Sequence, residues 1–422
     1  MHEIITERPN LFEPDDYITF YIELSGKVRA EELADAVKLA YRANEATMSK
    51  VVLKPDGAAY YERTPQSGCK VEIVQNDWQE VIRQNEKISF ELEHGELIRC
   101  FIFPVGEKIS FVIMAHHLAG DGKGIIYFIE NIMEALSGAE LEYKPLSLLS
   151  SQAIPKIGKY PFAAKLYTKF CNWKWRKIGN PSFSWDDYYN LHRNYWRTTS
   201  SYVQYKHFSR NETKLILDNA KQIGVSVNSY IITAFLQADS RNHIVGIPVS
   251  VRENGNKSMT NLTSGVQIIH SFADRDAFSE NAKQVQQKVS KELEENRWFV
   301  LRFLSNLSPS LIDGVLLYTH HCYANPLIEQ LAKVMRYVGD NTRDLGITNL
   351  TVLDIPAVYD TVKIEKIIFV PPNVSYSSNI IGISTFNGEM TITYHGTEDK
   401  KEQQRRFFDR GVKNLLSYNI GM

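Results

Sequence analysis

The sequence is poor in cysteine and has no charge excess of either sign. Its four cysteines are far apart and form no CxxC pair, which argues against a zinc ribbon or a disulfide-rich scaffold. Lys and Arg total 48 against 49 for Asp and Glu, so the formal net charge is -1. A nucleic-acid-binding protein of this size would normally carry a basic excess. We therefore expect no nucleic-acid partner and no bound metal.

Long apolar runs are also missing. No stretch of 18 apolar residues occurs, and the first ten residues contain acids where a signal peptide would have an apolar core. We therefore expect a cytoplasmic protein with no transmembrane segment. We also expect no tightly bound cofactor.

The remaining composition is that of a globular protein, and its pattern alternates between strands and helices. Hydrophobic residues make up 43% and charged residues 23% of the chain. Its length of 422 residues allows two or three domains, or one large unit made of two halves. Strand and amphipathic helix patterns follow one another in a similar order in both parts of the chain. We predict a mixed α/β fold with an N-terminal half at 1–145, a crossover at 146–200 and a C-terminal half at 201–422.

The predicted crossover contains a basic and aromatic stretch at 156–177. No acid occurs between Tyr143 and Trp185, whereas eight Lys or Arg residues alternate there with Phe, Tyr and Trp. One helix is expected near 162–177. A solvated connection, a docking site for an acidic acyl carrier protein or the phosphates of coenzyme A, and contact with an anionic membrane surface are all compatible with this composition.

The pattern HHxxxDG at 116–122 is the part of the sequence that indicates a reactive site. An apolar strand precedes it and a helix begins just after it. Because successive strand residues point to opposite faces, we expect one histidine to be packed internally and the other to face a cleft. An imidazole with an ordinary pKa near 6.5 can accept a proton from a hydroxyl or amine. Asp121 lies past the turn, where its carboxylate can hold the loop or cap the helix.

Simpler interpretations exist for these residues. In these interpretations His116 and His117 are both structural residues at the end of a buried strand, and Asp121 only caps a helix. A second cluster, His320-His321-Cys322, lacks further metal ligands at suitable spacing, so we expect a packed or solvated helix end there.

The HHxxxDG stretch resembles the acyltransferase superfamily that includes chloramphenicol acetyltransferase, the plant BAHD acyltransferases and the condensation domains of nonribosomal peptide synthetases. The resemblance implies two chloramphenicol acetyltransferase-like halves, each a mixed sheet flanked by helices, with a tunnel between them. It makes His117 the general base and His116 a structural part of the motif. It also implies that Asp121 pairs with an arginine of the second half, for which Arg252 is the candidate, and that Gly122 keeps the helix entry close to the site.

The resemblance further implies an acyl group donated by a thioester of coenzyme A to an alcohol or amine acceptor, in a protein that is usually a monomer. The DFGWG motif of plant members is missing, which favours a condensation-like or alcohol acetyltransferase-like protein. Asn349 resembles a tunnel residue of such members, and Ser384 and Thr385 are candidates to line the tunnel and donate to the thioester oxyanion, or else plain strand residues. A carrier-protein-bound donor and a non-catalytic binding protein remain the alternatives.

Overall fold

The structure of the protein is a computed structural model that describes most of the chain. The described residues are 1–64, 68–105, 108–150, 153–154, 157–274, 276–339 and 342–417. They form two six-stranded mixed sheets and one three-stranded sheet, with helices packed on them. The predicted mixed α/β class is confirmed.

The strands alternate with the helices along the whole chain. The strands are β1 (His2–Glu3), β2 (Tyr17–Gly26), β3 (Ser49–Leu53), β4 (Ala59–Arg63), β5 (Lys70–Ile73), β6 (Ile98–Val105), β7 (Lys108–His116), β8 (Ser201–Phe208), β9 (Ile244–Ser250), β10 (Thr263–Ile269), β11 (Leu345–Val352), β12 (Val358–Tyr359), β13 (Val362–Val370), β14 (Ile380–Phe386) and β15 (Glu389–Thr397).

The helices of the described part are of ordinary length. They are α1 (Ala30–Ala43), α2 (Trp78–Asn85), α3 (Gly122–Leu136), α4 (Phe162–Lys177), α5 (Trp185–Thr198), α6 (Arg210–Ile223), α7 (Val227–Ala238), α8 (Phe278–Asn296), α9 (Phe299–Ser305), α10 (Pro309–Thr319), α11 (Pro326–Val334) and α12 (Lys401–Ser417). Within the described residues no single helix has the length and apolar character needed to cross a bilayer, although α9 and α10, bent by 106° at their break, meet that test as a pair.

Each large sheet is the centre of one lobe. The first sheet has the order β12-β13-β2-β7-β6-β5, and the second has the order β10-β9-β11-β14-β15-β8. Both sheets are mixed, because β5 pairs with β6 in parallel and β11 pairs in parallel with β9 and β14. We call the bodies around these sheets the first and second lobes.

The two lobes exchange chain segments. Strand β13 comes from the predicted C-terminal half, yet it pairs with β2 over most of its length in the first sheet. Side chains of α9, α10 and α11 also belong to the apolar core of the first lobe. The stretch 201–422 therefore contributes to both lobes, and the boundaries 1–145, 146–200 and 201–422 stay a sequence-based division.

The strand that leads to the HHxxxDG loop is rigid. Strand β7 lies between β2 and β6, and its residues from Ile109 to His116 are buried. Helix α3 follows after a short loop, with Asp121 as its N-cap. Because a central strand and a capped helix both hold the loop, its side chains have fixed positions.

Three buried ionisable groups meet between the lobes. Asp15 and Glu86 come from the first lobe, and His395 from β15 of the second, and their ligand atoms lie within 4.8 Å of one another. The Nε2 atom of His395 lies 3.0 Å from a Glu86 carboxylate oxygen, and its Nδ1 lies 3.0 Å from the carbonyl oxygen of Pro371. Burial opposes the imidazolium, but the two carboxyl groups prevail and raise the pKa of His395 to about 9. The group is thus a buried ion pair across the lobe interface.

We expect this ion pair to make the protein less stable at alkaline pH. The folded-state pKa of His395 exceeds its ordinary 6.5, so its contribution is complete below pH 6.5 and is lost as the pH rises through 9. At about 1.4 kcal/mol per pKa unit, the free energy of unfolding should fall by about 2–3 kcal/mol over that interval. Urea unfolding at a series of pH values measures this fall. His395→Gln should unfold more easily at pH 6.5 and lose much of the pH dependence; an unchanged pH dependence in that variant would contradict the assignment.

Candidate active site

The two neighbouring histidines of the motif have different surroundings. His116 is 1% exposed and packs against the rings of Tyr17 and Phe90, with centroids 6.0 and 5.8 Å away. Its Nδ1 accepts a hydrogen bond from the backbone N–H of Leu118 at 3.2 Å. Burial lowers the pKa of His116 to about 3, and nearby histidines add to this effect. His116 is therefore neutral at physiological pH and part of the packing.

His117 instead faces a large cavity. Its backbone N–H donates to the carbonyl oxygen of Asp16 at 3.0 Å, which fixes the main chain at the end of β7. Its side chain lines a cavity of about 940 Å³. Ile18 of the first sheet and Thr348 of the second line the same space. The cavity thus lies between the lobes, and the imidazole is accessible from it.

Two asparagines surround Nδ1 of His117. The Nδ2 atoms of Asn261 and Asn10 lie 3.0 and 3.3 Å from it, and the backbone N–H of Thr263 donates to Asn261 Oδ1 at 3.2 Å. In this arrangement Nδ1 accepts hydrogen bonds and the ring proton lies on Nε2. Rotating the amides by 180° would present their oxygens to a protonated Nδ1, and for Asn261 it would break the hydrogen bond from the Thr263 backbone N–H. Among the described residues, Nε2 has no hydrogen-bond partner.

The pKa of His117 is below its ordinary value. Burial lowers it because a buried imidazolium loses hydration, and the Asp121 carboxylate opposes this effect in part. A neutral imidazole therefore predominates at neutral pH. A neutral ring is the form that a general base requires before it reacts.

Asp121 joins the motif loop to the second lobe. Its Oδ1 accepts from the Gly124 backbone N–H at 2.7 Å, which caps α3. Arg252 Nη2 donates to both carboxylate oxygens, at 2.9 and 3.0 Å, and the Leu262 backbone N–H donates to Oδ2 at 2.9 Å. The ion pair expected from the sequence is present, and its two side chains are only 4% and 5% exposed.

The guanidinium of Arg252 also holds its own segment. It donates to the carbonyl oxygens of Ser258 and Thr260 at 2.8 and 2.6 Å. The segment that follows carries Asn261, one of the two asparagines beside His117. The Asp121–Arg252 pair therefore positions both the HHxxxDG loop and the residue that contacts the imidazole.

Gly122 allows close contact between α3 and the second lobe. A Cβ atom at this position would lie 2.6 Å from Cδ2 of Leu350 on β11, so that side chain would have to move. Both residues line the cavity, and so does Asn349. Asn349 donates to Asn228 Oδ1 at 3.4 Å and accepts from the backbone N–H of Thr351 at 2.8 Å. Asn349 thus reaches the cavity with its amide held by the protein.

Ser384 and Thr385 require a correction. They were expected to line the tunnel, but they are not among the residues that line this cavity. Ile380, at the start of β14, is the β14 residue that lines it, and Ser384 is four residues further along the strand and 1% exposed. The neighbouring strand β11 does line the cavity at this level, because Asn349 is paired with Ile383, the residue before Ser384. Ser384 and Thr385 therefore lie beside cavity-lining residues without lining the cavity themselves.

Several cavity residues were not found by the sequence analysis. Asn10 and Asn261 contact His117, whereas Ser264 Oγ and Gln267 Nε2 are buried with no hydrogen-bond partner among the described residues. All four line the cavity. No local motif marks them, because they come together only when the N-terminal segment and β10 meet the HHxxxDG loop.

The cavity wall also has a basic part. Lys288 and Lys291 of α8 line it beside Glu292 of the same helix, together with Lys123 at the start of α3. Lys288 and Lys291 are exposed, and Lys288 Nζ donates to the Ile269 carbonyl oxygen at 2.7 Å. An anionic group entering there would meet positive charge.

The His320-His321-Cys322 cluster lies at the end of α10. His320 Nε2 is 3.6 Å from Glu13, while His321 and Cys322 are exposed. Among the described residues, the group whose geometry suits a metal ion is instead Asp15, Glu86 and His395, where the imidazole and a carboxylate already form the ion pair described above.

No family model and no curated protein matches the sequence. Solved structures do match. The trichothecene 15-O-acetyltransferase TRI3 of Fusarium sporotrichioides is 12% identical with a TM-score of 0.66, over 98% of this chain and 94% of that one. The condensation domain of the monacolin K polyketide synthase MokA is 12% identical with a TM-score of 0.65, over 98% and 96%. Polyketide synthase associated protein 5 of Mycobacterium tuberculosis is 12% identical with a TM-score of 0.60, over 100% and 98%.

These likenesses establish the fold. The protein has the two-lobed, chloramphenicol acetyltransferase-like fold shared by condensation domains and an acetyltransferase, as the resemblance at the HHxxxDG stretch implied. At such low identities the activity has to be argued from the site itself.

Proposed function

We propose that this protein is an acyltransferase that moves an acyl group from a coenzyme A thioester to an alcohol or amine, with His117 as general base. The observation that carries the proposal is the position of His117. Its main chain is fixed by the Asp16 carbonyl, and its predominantly neutral imidazole faces a cavity built from both lobes. The solved structures with this fold include an acetyltransferase and condensation domains, which supports acyl transfer in general.

The proposed reaction takes place in a ternary complex. The acceptor O–H or N–H gives its proton to Nε2 of His117 while its oxygen or nitrogen attacks the thioester carbonyl carbon. The tetrahedral intermediate then expels the thiolate by cleavage of the C–S bond, and the imidazolium returns the proton to the sulfur. Both substrates bound in one cavity gain the rate advantage of proximity.

This step requires the tautomer with its proton on Nδ1. Asn10 and Asn261 support that tautomer when their amide oxygens face Nδ1; for Asn261 this rotation gives up the hydrogen bond from the Thr263 backbone N–H. The imidazolium that forms is stabilised by the nearby Asp121 carboxylate, which favours the charged ring. We assign the two asparagines to tautomer control and Asp121 to positioning.

The developing oxyanion needs hydrogen-bond donors. Ser264 Oγ and Gln267 Nε2 are suited to this role because both line the cavity and have no described partner. They replace Ser384 and Thr385, which do not line the cavity. Asn349 is better suited to contact a bound substrate, because its amide already binds Asn228 and the Thr351 backbone.

The basic wall favours coenzyme A as the donor. Lys288 and Lys291 at the cavity suit the phosphate groups of coenzyme A. A carrier-protein-bound thioester would react at the same His117, so it remains the second candidate, favoured by the basic stretch before and along α4. A non-catalytic binding protein is the third.

A panel of donors and acceptors tests the function. The protein is mixed with acyl-CoAs of increasing chain length and with alcohols and amines, and free thiol and acylated products are measured by a thiol reagent and mass spectrometry. We expect acceptor-dependent thiol release and a new ester or amide for at least one pair. Transfer only from acyl-pantetheinyl carrier protein would overturn the coenzyme A assignment. Silence with both donor types across the panel would overturn the catalytic proposal.

A further inference from the structure

Helix α4 is attached to the first lobe by one face. Thr168, Cys171 and Trp175 are buried, and Trp175 Nε1 donates to Ser310 Oγ at 2.9 Å. Asn172 donates to the Asn306 carbonyl oxygen at 2.8 Å and accepts from the Ser308 backbone N–H at 2.8 Å. The helix is therefore held firmly against α10 and the loop before it, with a fixed outer face.

The outer face carries an apolar ridge. Phe162, Leu166, Phe170 and Trp173 recur at helical spacing, and all are exposed, Phe162 by 73% and Trp173 by 49%. At about 100° per residue, these four side chains cover about 80° of the helix, roughly opposite the buried face. Neighbouring exposed large apolar side chains of this kind mark interaction surfaces, whereas single ones do not.

Basic side chains line both sides of the ridge. Lys165, Lys169 and Arg176 lie along one side and Lys174 along the other, with its Nζ 5.0 Å from the centre of the Phe170 ring. No carboxylate among the described residues forms an ion pair with any of them. Three further cations belong to the stretch 156–177: Lys177 ends the helix, the exposed Lys159 precedes it, and Lys156 lies outside the described residues.

The cavity reaches the start of this helix. Pro161, the N-cap of α4, lines it, as do Phe299, Phe303 and Leu304 of α9. The rings of Tyr160 and Phe299 lie 6.1 Å apart. An apolar part of the cavity wall therefore lies beside the ridge.

We propose that α4 docks on an anionic lipid bilayer, with Phe162, Leu166, Phe170 and Trp173 inserted at the interface and the flanking Lys and Arg on lipid headgroups. Aromatic and Leu side chains on one face with Lys and Arg beside them are the pattern of a helix that lies in a membrane surface. An acidic carrier protein would account for the basic residues but not for four large apolar side chains pointing to solvent. Taken with the proposed function, docking brings the apolar cavity wall to the bilayer, so the acyl acceptor or acyl chain would be lipophilic.

Vesicle flotation tests the docking without any substrate, so its outcome is independent of the acyl-transfer proposal. The full chain is floated with phosphatidylcholine vesicles and with vesicles in which about a third of the lipid is phosphatidylglycerol. We expect binding to the anionic vesicles at least tenfold stronger than to the neutral ones, and weakened by salt. Two variants should each lose at least tenfold: Phe162→Ser/Leu166→Ser/Trp173→Ser removes the ridge, and Lys165→Glu/Lys169→Glu/Arg176→Glu reverses the charge.

Matched variants elsewhere on the surface control for general effects. Leu39→Ser/Leu215→Ser/Leu217→Ser alters exposed apolar side chains of α1 and α6, and Lys27→Glu/Lys221→Glu/Lys283→Glu makes the same charge change away from α4. Both controls should bind vesicles like the wild type. Failure of the wild type to float with anionic vesicles would overturn the proposal, as would equal losses in the controls. Binding of an acidic acyl carrier protein, lost in the charge-reversed variant while vesicles are not bound, would assign the helix to a protein partner instead.

Discussion

Replacing His117 by alanine should reduce turnover by about a hundredfold or more, with little change in melting temperature. The imidazole is the general base in the proposed reaction, and its side chain borders a cavity rather than packing in the core. The measurement is kcat for the best substrate pair, together with a thermal melt. We expect KM to change less than kcat, because the ring accepts the acceptor's proton during the reaction and contributes little to substrate binding.

Two further variants make this result specific. His94→Ala removes an exposed histidine of the first lobe and should leave turnover unchanged. His116→Gln should lower the melting temperature, because His116 is packed between aromatic rings, while any activity loss should follow the loss of folded protein. Wild-type turnover in His117→Ala would show that the assignment of the base is wrong.

Replacing Asp121 by asparagine should abolish most activity and also destabilise the protein. The substitution leaves the buried Arg252 guanidinium without its carboxylate partner, and breaking a buried pair in this way typically costs about 3–5 kcal/mol. It also loosens the loop that carries His117 and removes a negative charge that favours its protonated form. Thermal and urea unfolding measure the first effect, and kcat measures the second.

A double-mutant cycle separates the ion pair from the rest of the site. Arg252→Gln should be destabilising as well, and the double variant Asp121→Asn/Arg252→Gln should be less unstable than the sum of the single variants. The matched control is Lys214→Gln, which removes an exposed i,i+4 pair with Asp218 and should change stability by less than about 1 kcal/mol. Strictly additive effects at 121 and 252 would contradict the coupling.

Local patterns predicted the elements beside the motif but did not reveal helices that lack a clear period. The apolar strand expected before the motif and the helix expected near 162–177 are present as β7 and α4. Helix α10 is nearly all buried, so it has no polar face for a periodic pattern to reveal. Helix α5 is rich in aromatic and polar residues, and its helical state depends on its packing and on the Ser184 capping box.

Tertiary pairing was less accessible to sequence analysis. The pairing of β13 with β2 joins residues that are over 300 positions apart. Nothing in the alternation of either strand specifies that partner. The exchange of segments between the lobes follows from long-range pairing, which single-strand patterns do not encode.

The site residues that belong to a local sequence motif were predictable. HHxxxDG marked His117 and Asp121, and the resemblance led to Arg252, whose contact with Asp121 is present. Asn10 and Asn261 were not predicted, because their contact with His117 depends on three chain segments that meet around one imidazole. Ser384 and Thr385 do not line the cavity, and strand membership alone does not tell which side chains of β14 do.

The most direct test of the account is the pH dependence of kcat/KM for the wild type and for His117→Gln. A general base must be neutral to act, so activity should fall as the pH drops through the pKa of His117, which burial holds below its ordinary 6.5. We predict a flat profile from that pKa up to neutral pH in the wild type. In His117→Gln the acidic limb should disappear along with most of the activity. The same acidic limb at wild-type activity in His117→Gln would contradict the claim that this imidazole takes the acceptor proton.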